Sequence, residues 1–245
     1  GECGLSGSPG KNEKALQDRL KKEAGISAVD LVSPGMILGL GTGSTTHFAL
    51  EELGRRLADG RLKDIVGIPS SLDTEKSARE FGIPLITFDD KQTIDLTIDG
   101  ADEVDPNLNL IKGGGGALLR EKVLAQASRR NVMVVDESKM SPRLGTHFPV
   151  PIEVIPFAWR PVAEFLKSLG GEPVLRKKDD GQIYETDQSN YILDCRFGPI
   201  ENLDELASKL GQKAGIAEFG IFIGTASEII VATSHGIRYR KRNDS

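Results

Sequence analysis

The chain has 245 residues, enough for one large or two modest domains. Its composition, 38% hydrophobic but only 5% aromatic, leaves the core to aliphatic side chains. A net charge of -5 argues against a protein built mainly to grip nucleic acid, and no apolar run reaches the ~18 residues of a membrane span.

Residues 1–10 are small and polar, lack the apolar heart of a signal peptide, and read as a disordered leader. A helix is expected from Asn12 to Val32, with Leu16, Leu20, Ala24, Ala28 and Leu31 at helical spacing; Ser33-Pro34-Gly35 stops it. Met36–Leu40 reads as a buried strand, followed by the turn Gly41-Thr42-Gly43-Ser44 and a helix carrying Phe48, Leu50, Leu53 and Leu57. Strands are expected at Ile65–Ile68, Leu85–Phe88 and Asp95–Asp99, with a helix over Asp73–Phe81. Leu108–Ile111 is a short extended piece, Gly113–Gly116 opens a helix to about Arg129, and Asn131–Val135 is a strand. Strands alternating with helices mean βαβ units and a mostly parallel sheet.

The pattern changes near Pro149. Ile152–Val154 is extended, Pro161–Leu169 helical, Glu172–Lys178 and Tyr191–Phe197 pair as antiparallel strands, and Asn202–Leu210 is a helix. Ile221–Arg240 reads as strands around a turn at Ser234-His235-Gly236, returning to the first unit. The expected division is a leader over 1–10, a catalytic α/β domain over 11–149, a small α+β domain over 150–219, and returning strands over 220–245.

Cys3 and Cys195 are far apart and outside any CxxC, so no disulfide framework is expected; Cys195 reads as a small core residue. His47, His147 and His235 show no zinc-ligand spacing, and no metal site is expected. The basic tail Arg238–Arg242 reads as a solvated end.

Four segments carry candidate chemistry. Gly39–Thr45 joins a strand to a helix, where free N–H groups and hydroxyls from Thr42, Ser44 and Thr45 suit a phosphate. It lacks the Gly-Lys-Ser/Thr of a P-loop and the third glycine of a dinucleotide fingerprint, so a plain capped βα turn stays open. Asp99-Gly100-Ala101-Asp102-Glu103 ends an apolar strand, where ligands bind in parallel sheets; three close carboxylates raise a pKa if buried together. Lys112 and Glu121 bracket Gly113-Gly114-Gly115-Gly116, a run whose entropy cost favours close backbone approach to a ligand over a mere linker. Lys139, after the strand ending at Val135, offers a point charge to a phosphate, or sits in a solvated loop. Ser70–Thr74 reads first as a helix N-cap. A phosphate cradle with carboxylates and lysines, but no nucleotide motif or serine triad, fits proton transfer beside a polarised oxygen, as in aldose–ketose isomerisation.

The ordered set Gly41-Thr42-Gly43-Ser44-Thr45, Asp99-Gly100-Ala101-Asp102-Glu103, Lys112-Gly113-Gly114-Gly115, Arg120-Glu121-Lys122 and Ser138-Lys139 resembles type A ribose-5-phosphate isomerase, from about Leu20 to the C-terminal strands. The resemblance implies a Rossmann-like, mostly parallel sheet with helices on both faces, plus a smaller α+β domain. It implies interconversion of D-ribose 5-phosphate and D-ribulose 5-phosphate in the pentose phosphate pathway. It implies no cofactor, no nucleic-acid or membrane partner, a cytoplasmic location, and a homodimer or homotetramer.

By the same resemblance, Glu121 is the proton shuttle, Lys112 stabilises the enediolate, and Asp99 and Asp102 handle hydroxyls and ring opening. Thr42, Gly43, Ser44, Thr45, Gly100, Ala101, Gly113, Gly114, Gly115, Lys139 and Lys21 are the expected substrate contacts. The four catalytic candidates are expected to converge on one cleft beside the Gly41–Thr45 turn. The family pattern has three glycines followed by Ala; the fourth glycine here, Gly116, is expected to be tolerated and to loosen the loop. A deaminating amino-sugar-phosphate isomerase would need a further acid–base pair, which no histidine supplies. A non-catalytic sugar-phosphate regulator would call for a DNA-binding face, which the acidic charge disfavours.

Overall fold

The computed structural model describes residues 10–242. The predicted leader, except Gly10, lies outside the described residues. The first half of the chain forms α1 (Lys11–Val29), β1 (Ile37–Leu40), α2 (Ser44–Ala58), β2 (Val66–Pro69), α3 (Leu72–Glu80), β3 (Ile94–Asp99), β4 (Glu103–Val104), β5 (Leu110–Ile111), α4 (Leu118–Ala127) and β6 (Ser128–Asp136). The second half forms β7 (Val150–Val154), α5 (Trp159–Ser168), β8 (Glu172–Leu175), β9 (Tyr191–Arg196), α6 (Leu203–Gln212), β10 (Ile216–Phe219), β11 (Ile221–Phe222), β12 (Glu228–Thr233) and β13 (Gly236–Lys241).

The main sheet runs β13-β12-β6-β3-β1-β2, and every pair in it is parallel except the β12–β13 hairpin. Its inner strands bury apolar residues on both faces, because both faces are covered. Side chains alternate along β6, so Val132 and Val134 join the core under α1 and α2, while Met133 and Val135 join a second core on the opposite face. Ala24, Ala28, Leu53 and Ala78 bring α1, α2 and α3 to the first face; Leu124 and Ala125 bring α4 to the other.

A second sheet, β10-β7-β9-β8, is antiparallel throughout and packs on α5 and α6 through Val162, Leu166 and Leu210. A small third sheet, β11-β5-β4, also antiparallel, links the segment after β3 to the segment after β10. The fold is α/β: a Rossmann-like, mostly parallel sheet with helices on both faces, beside a smaller α+β unit.

Local differences from expectation have physical causes. Leu85–Phe88 makes only a single bridge, Leu85 to Gly67, because Asp90 accepts from the Thr87 N–H at 3.0 Å and turns the chain away. The helix expected to reach Arg129 ends at Ala127, where β6 begins pairing with β3. In α1 the buried positions lie in the last two turns, and Leu16 is exposed. Ile216–Phe219, where no element is predicted, pairs with β7 across a bulge.

Candidate active site

The strands β1, β3 and β6 are neighbours and end at Leu40, Asp99 and Asp136. The chain leaves β1 toward β2 on one side, whereas β3 lies on the other, so a crevice opens at their carboxyl ends. The cleft there measures about 170 Å³. Every predicted site residue except Asp99 lines it, including the distant Lys21 and Lys139. Asp99 lies at its base and reaches it through Lys112.

Three charged groups are buried together. Asp99 is 2% exposed, Lys112 4% and Glu121 5%. The Lys112 ammonium sits 3.1 Å from Asp99 Oδ2 and 2.6 Å from Glu121 Oε2, and it also donates to the Gly100 carbonyl. Asp99 Oδ1 accepts from the Thr42 and Gly100 N–H groups at 3.2 and 2.8 Å, so the turn after β1 and the end of β3 are tied by one carboxylate. Burial opposes the charge on Lys112, but Asp99 and Glu121 outweigh it and hold the ammonium above its usual range. Burial and the neighbouring Asp99 push the Glu121 carboxyl well above the carboxylate range, with Lys112 pulling the other way. The cluster therefore contains a permanent cation beside a carboxyl whose proton is held tightly. That is the chemistry of an acid–base shuttle next to a fixed positive charge.

The backbone is shaped for this cluster. A Cβ on Gly41 would lie 2.2 Å from Asp99 Oδ1 and 2.6 Å from its Cα, so only glycine lets β1 approach β3 here. Lys112 directly follows β5, and its N–H donates to the Gly220 carbonyl at 2.9 Å, which fixes it from the β10–β11 junction. Glu121 faces the cleft from the first turn of α4. Asp102 Oδ2 accepts from the Gly114 N–H at 2.8 Å.

The opposite wall is the start of α2. Gly43, at φ +116, precedes the helix and no side chain caps it, leaving the first N–H groups open toward the cleft. Lys21 reaches to 3.5 Å from Ser44 Oγ, and Lys139 lines the same end.

The profile of the family described as Ribose 5-phosphate isomerase A (phosphoriboisomerase A) matches residues 66–236. Ribose-5-phosphate isomerase A of Desulfatibacillum aliphaticivorans is 53% identical over 225 residues, which is 92% of this chain and 98% of that one. The chain belongs to the ribose 5-phosphate isomerase A family. An Arabidopsis thaliana member, named probable ribose-5-phosphate isomerase 3, chloroplastic, is 46% identical over 227 residues, 90% of this chain and 82% of its own. A solved D-ribose-5-phosphate isomerase in complex with phospho-erythronic acid superimposes with a TM-score of 0.90 at 39% identity, covering 92% of this chain and 99% of that one.

Within this isomerase-family site, some side chains do other work than expected. The Thr42 hydroxyl joins a hydroxyl cluster: Ser70 Oγ at 2.7 Å, Ser71 Oγ at 2.9 Å and Thr74 Oγ1 at 3.1 Å. The cluster braces the turn after β1, while Ser71 also caps α3 by accepting from the Thr74 N–H at 3.0 Å. Glu103 is fully buried away from the cleft, where it accepts from the N–H groups of Thr146, His147 and Phe148 at 3.2, 3.0 and 2.8 Å. Lys122, next to Glu121, instead donates to Glu218 and to the carbonyls of Phe219 and Ile221, and burial lowers its pKa.

Gly116 occupies a backbone position that suits glycine. It sits at φ +80, its N–H donates to the Gly113 carbonyl at 2.9 Å, and an added Cβ would meet Tyr184 Oη at 2.1 Å. Tyr184 and Arg176, which reach this loop from the second sheet, were missed in the sequence because nothing local marks a residue that acts from 60 positions away. Cys195 is fully buried in the second core, and burial pushes its thiol up to about 12. Among the described residues no group of three His, Cys, Asp or Glu side chains is placed to hold a metal ion, and no helix is long and apolar enough to cross a membrane.

Proposed function

We propose that this protein interconverts D-ribose 5-phosphate and D-ribulose 5-phosphate through an enediolate, as a step of the non-oxidative pentose phosphate pathway. The observation that carries the reading is the buried chain Asp99–Lys112–Glu121, with its 3.1 and 2.6 Å contacts, at the floor of a cleft. The phosphate sits at the open start of α2, over the backbone of Gly43, Ser44 and Thr45, with Lys21 and Lys139 as counter-charges. Binding there spends none of the catalytic groups and anchors the sugar far from its reacting carbons.

In the open-chain sugar, Glu121 as carboxylate removes the proton from C2. The C2–H electron pair forms the C1–C2 double bond, and the carbonyl electrons move to O1. Lys112 neutralises the negative oxygen so formed. Glu121 returns its proton to C1, the O2 proton passes to O1, and the ketose results. Asp99 keeps Lys112 charged and anchors the turn after β1. Asp102 handles substrate hydroxyls during ring opening while it orients the Gly114 peptide. Thr42 shapes the turn through its bonds to Ser70, Ser71 and Thr74.

In this reading residues 11–149 and the returning strands over 220–245 carry the chemistry, and residues 150–219 form a supporting α+β domain. The protein is a cytoplasmic homodimer or homotetramer; the plastid in the name of the Arabidopsis relative belongs to that protein. The test is an assay of purified protein with ribose 5-phosphate in excess EDTA, following ribulose 5-phosphate. Sustained turnover supports the reading. Turnover abolished by the chelator would overturn the shuttle mechanism, and saturable binding without turnover would overturn the activity itself. Light scattering of the same sample reads the assembly.

A further inference from the structure

The glycine loop beside Lys112 is held from behind by the second sheet. Arg176, just past the end of β8, pairs its Nε and Nη2 with the two carboxylate oxygens of Asp194 on β9, at 2.8 and 2.6 Å. Its Nη1 and Nη2 also donate to the carbonyls of Gly114 and Gly113, each at 3.1 Å. Tyr184 lies against the guanidinium, 5.6 Å from ring centre to Cζ, and its hydroxyl donates to the Gly115 carbonyl at 3.4 Å. The Gly113 and Gly114 carbonyls are thus drawn to Arg176 and the Gly115 carbonyl to Tyr184, while the Gly116 N–H turns back to the Gly113 carbonyl at 2.9 Å. All peptide bonds among the described residues are trans, so each N–H points opposite to the carbonyl of its own unit. The Gly114 N–H accordingly meets Asp102, and the Gly115 N–H is turned from Arg176 toward the cleft that Gly115 lines.

We infer that Arg176, locked by Asp194, is a positioning residue for the isomerisation: it grips the Gly113 and Gly114 carbonyls and so sets the Gly114–Gly115 peptide, whose N–H end it aims at the reacting oxygens. The inference rests on the isomerase reading above. The ion pair with Asp194 would be complete without the loop, yet the fork spends two further contacts on carbonyls that belong to another part of the fold. A cation bound at the carbonyl end polarises each peptide and strengthens its N–H as a donor. The benefit is greatest when negative charge develops on the sugar, that is, in the transition state. A lysine cannot serve equally, because one ammonium does not reproduce the planar fork that spans two carbonyls and a carboxylate.

The experiment compares wild type with Arg176→Met, Arg176→Lys, Asp194→Asn and the double variant Arg176→Met/Asp194→Leu. Readouts are kcat, KM for ribose 5-phosphate, inhibition by 4-phospho-erythronate and Tm. That inhibitor carries a carboxylate where the enediolate oxygens would lie. Arg176→Met is expected to lower kcat roughly 100-fold, with KM within about threefold and inhibition weakened in step with kcat. Arg176→Lys recovers part of the loss, and Asp194→Asn loses about tenfold. The double variant removes both charges and regains Tm, but its turnover stays low. The inference is overturned if Arg176→Met keeps kcat within about threefold of wild type, if the loss falls on KM alone, or if the double variant regains turnover with its Tm. Should Arg176→Met not fold, Arg176→Lys and Asp194→Asn decide by the same split. Wild-type protein without isomerase activity would overturn the isomerase reading and this inference together, a result distinct from active wild type with indifferent variants.

Discussion

Replacing Glu121 by Gln removes one ionisable group and almost no volume, so its consequences follow from charge alone. Glu121 is 5% exposed, and burial beside Asp99 raises its pKa well above the ordinary 4.5. The folded protein therefore holds the proton more tightly than the unfolded chain. Below pH 4.5 both states are protonated and the residue has no pH-dependent effect. As pH rises above 4.5 the unfolded chain gives up the proton while the folded one keeps it, so wild-type stability falls until the folded pKa is passed. The slope approaches one proton, about 1.4 kcal/mol per pH unit. For a chain of this size that is roughly 3–5 °C of Tm per unit. Glu121→Gln lacks this slope. Its Tm should draw away from the wild-type value as pH climbs above 4.5, until the folded pKa is passed, with the variant the more stable. Scanning calorimetry in matched buffers reads the difference. Turnover should move the other way: kcat falls by about 10³-fold, the range of a lost acid–base group, with KM nearly unchanged. In wild type the rising limb of kcat/KM against pH should lie above the ordinary carboxylate range. Parallel Tm profiles for the two proteins, or a variant that keeps its kcat, would refute both the charge assignment and the shuttle.

Lys112→Met leaves Asp99 and Glu121 buried without their cation; the expected cost is about 3–5 kcal/mol in urea unfolding and at least 100-fold in kcat. Residual activity should have its rising pH limb displaced further upward, since Lys112 is the group that opposes the rise at Glu121; a stable, active variant would remove Lys112 from the mechanism. Gly41→Ala places a methyl 2.2 Å from Asp99 Oδ1, so it should cost about 1–3 kcal/mol of stability and lower kcat/KM. Unchanged unfolding and kinetics would mean that β1 and β3 have room to part.

What the sequence disclosed depended on how local the signal was. The strand–turn–helix at Leu40–Ser44 and the acidic end of β3 are written in consecutive residues, and their convergence follows from strand order in a parallel sheet. Local chemistry also had its limits. The Thr42 hydroxyl, expected to meet a phosphate, lies within reach of three more hydroxyls, from Ser70, Ser71 and Thr74, and only the fold brings them near. Glu103 shared an acidic pentapeptide with Asp99 and Asp102, yet the antiparallel turn of β4 sends it to the Thr146–Phe148 backbone. The apolar run at Leu85–Phe88 resembled a strand until Asp90 took the Thr87 N–H. Arg176 and Tyr184 lie in an unremarkable polar turn, and their importance comes wholly from where β8 and β9 set them down.

The position of β12 sets an order of events during synthesis. This strand fills the gap between β6 and β13, so β6 remains an open edge until residues 228–233 leave the ribosome. The antiparallel sheet of β7 to β10 can close before that, since all its strands are made by Phe219. The helix α1, made before either strand, packs against both β6 and β12 and must wait for the latter. Lys112 waits as well, because its backbone is pinned by Gly220 and its strand by β11. A nascent chain can thus carry a finished small sheet beside an unfinished large one, and the pocket becomes chemically competent only after β11 and β12 have been made.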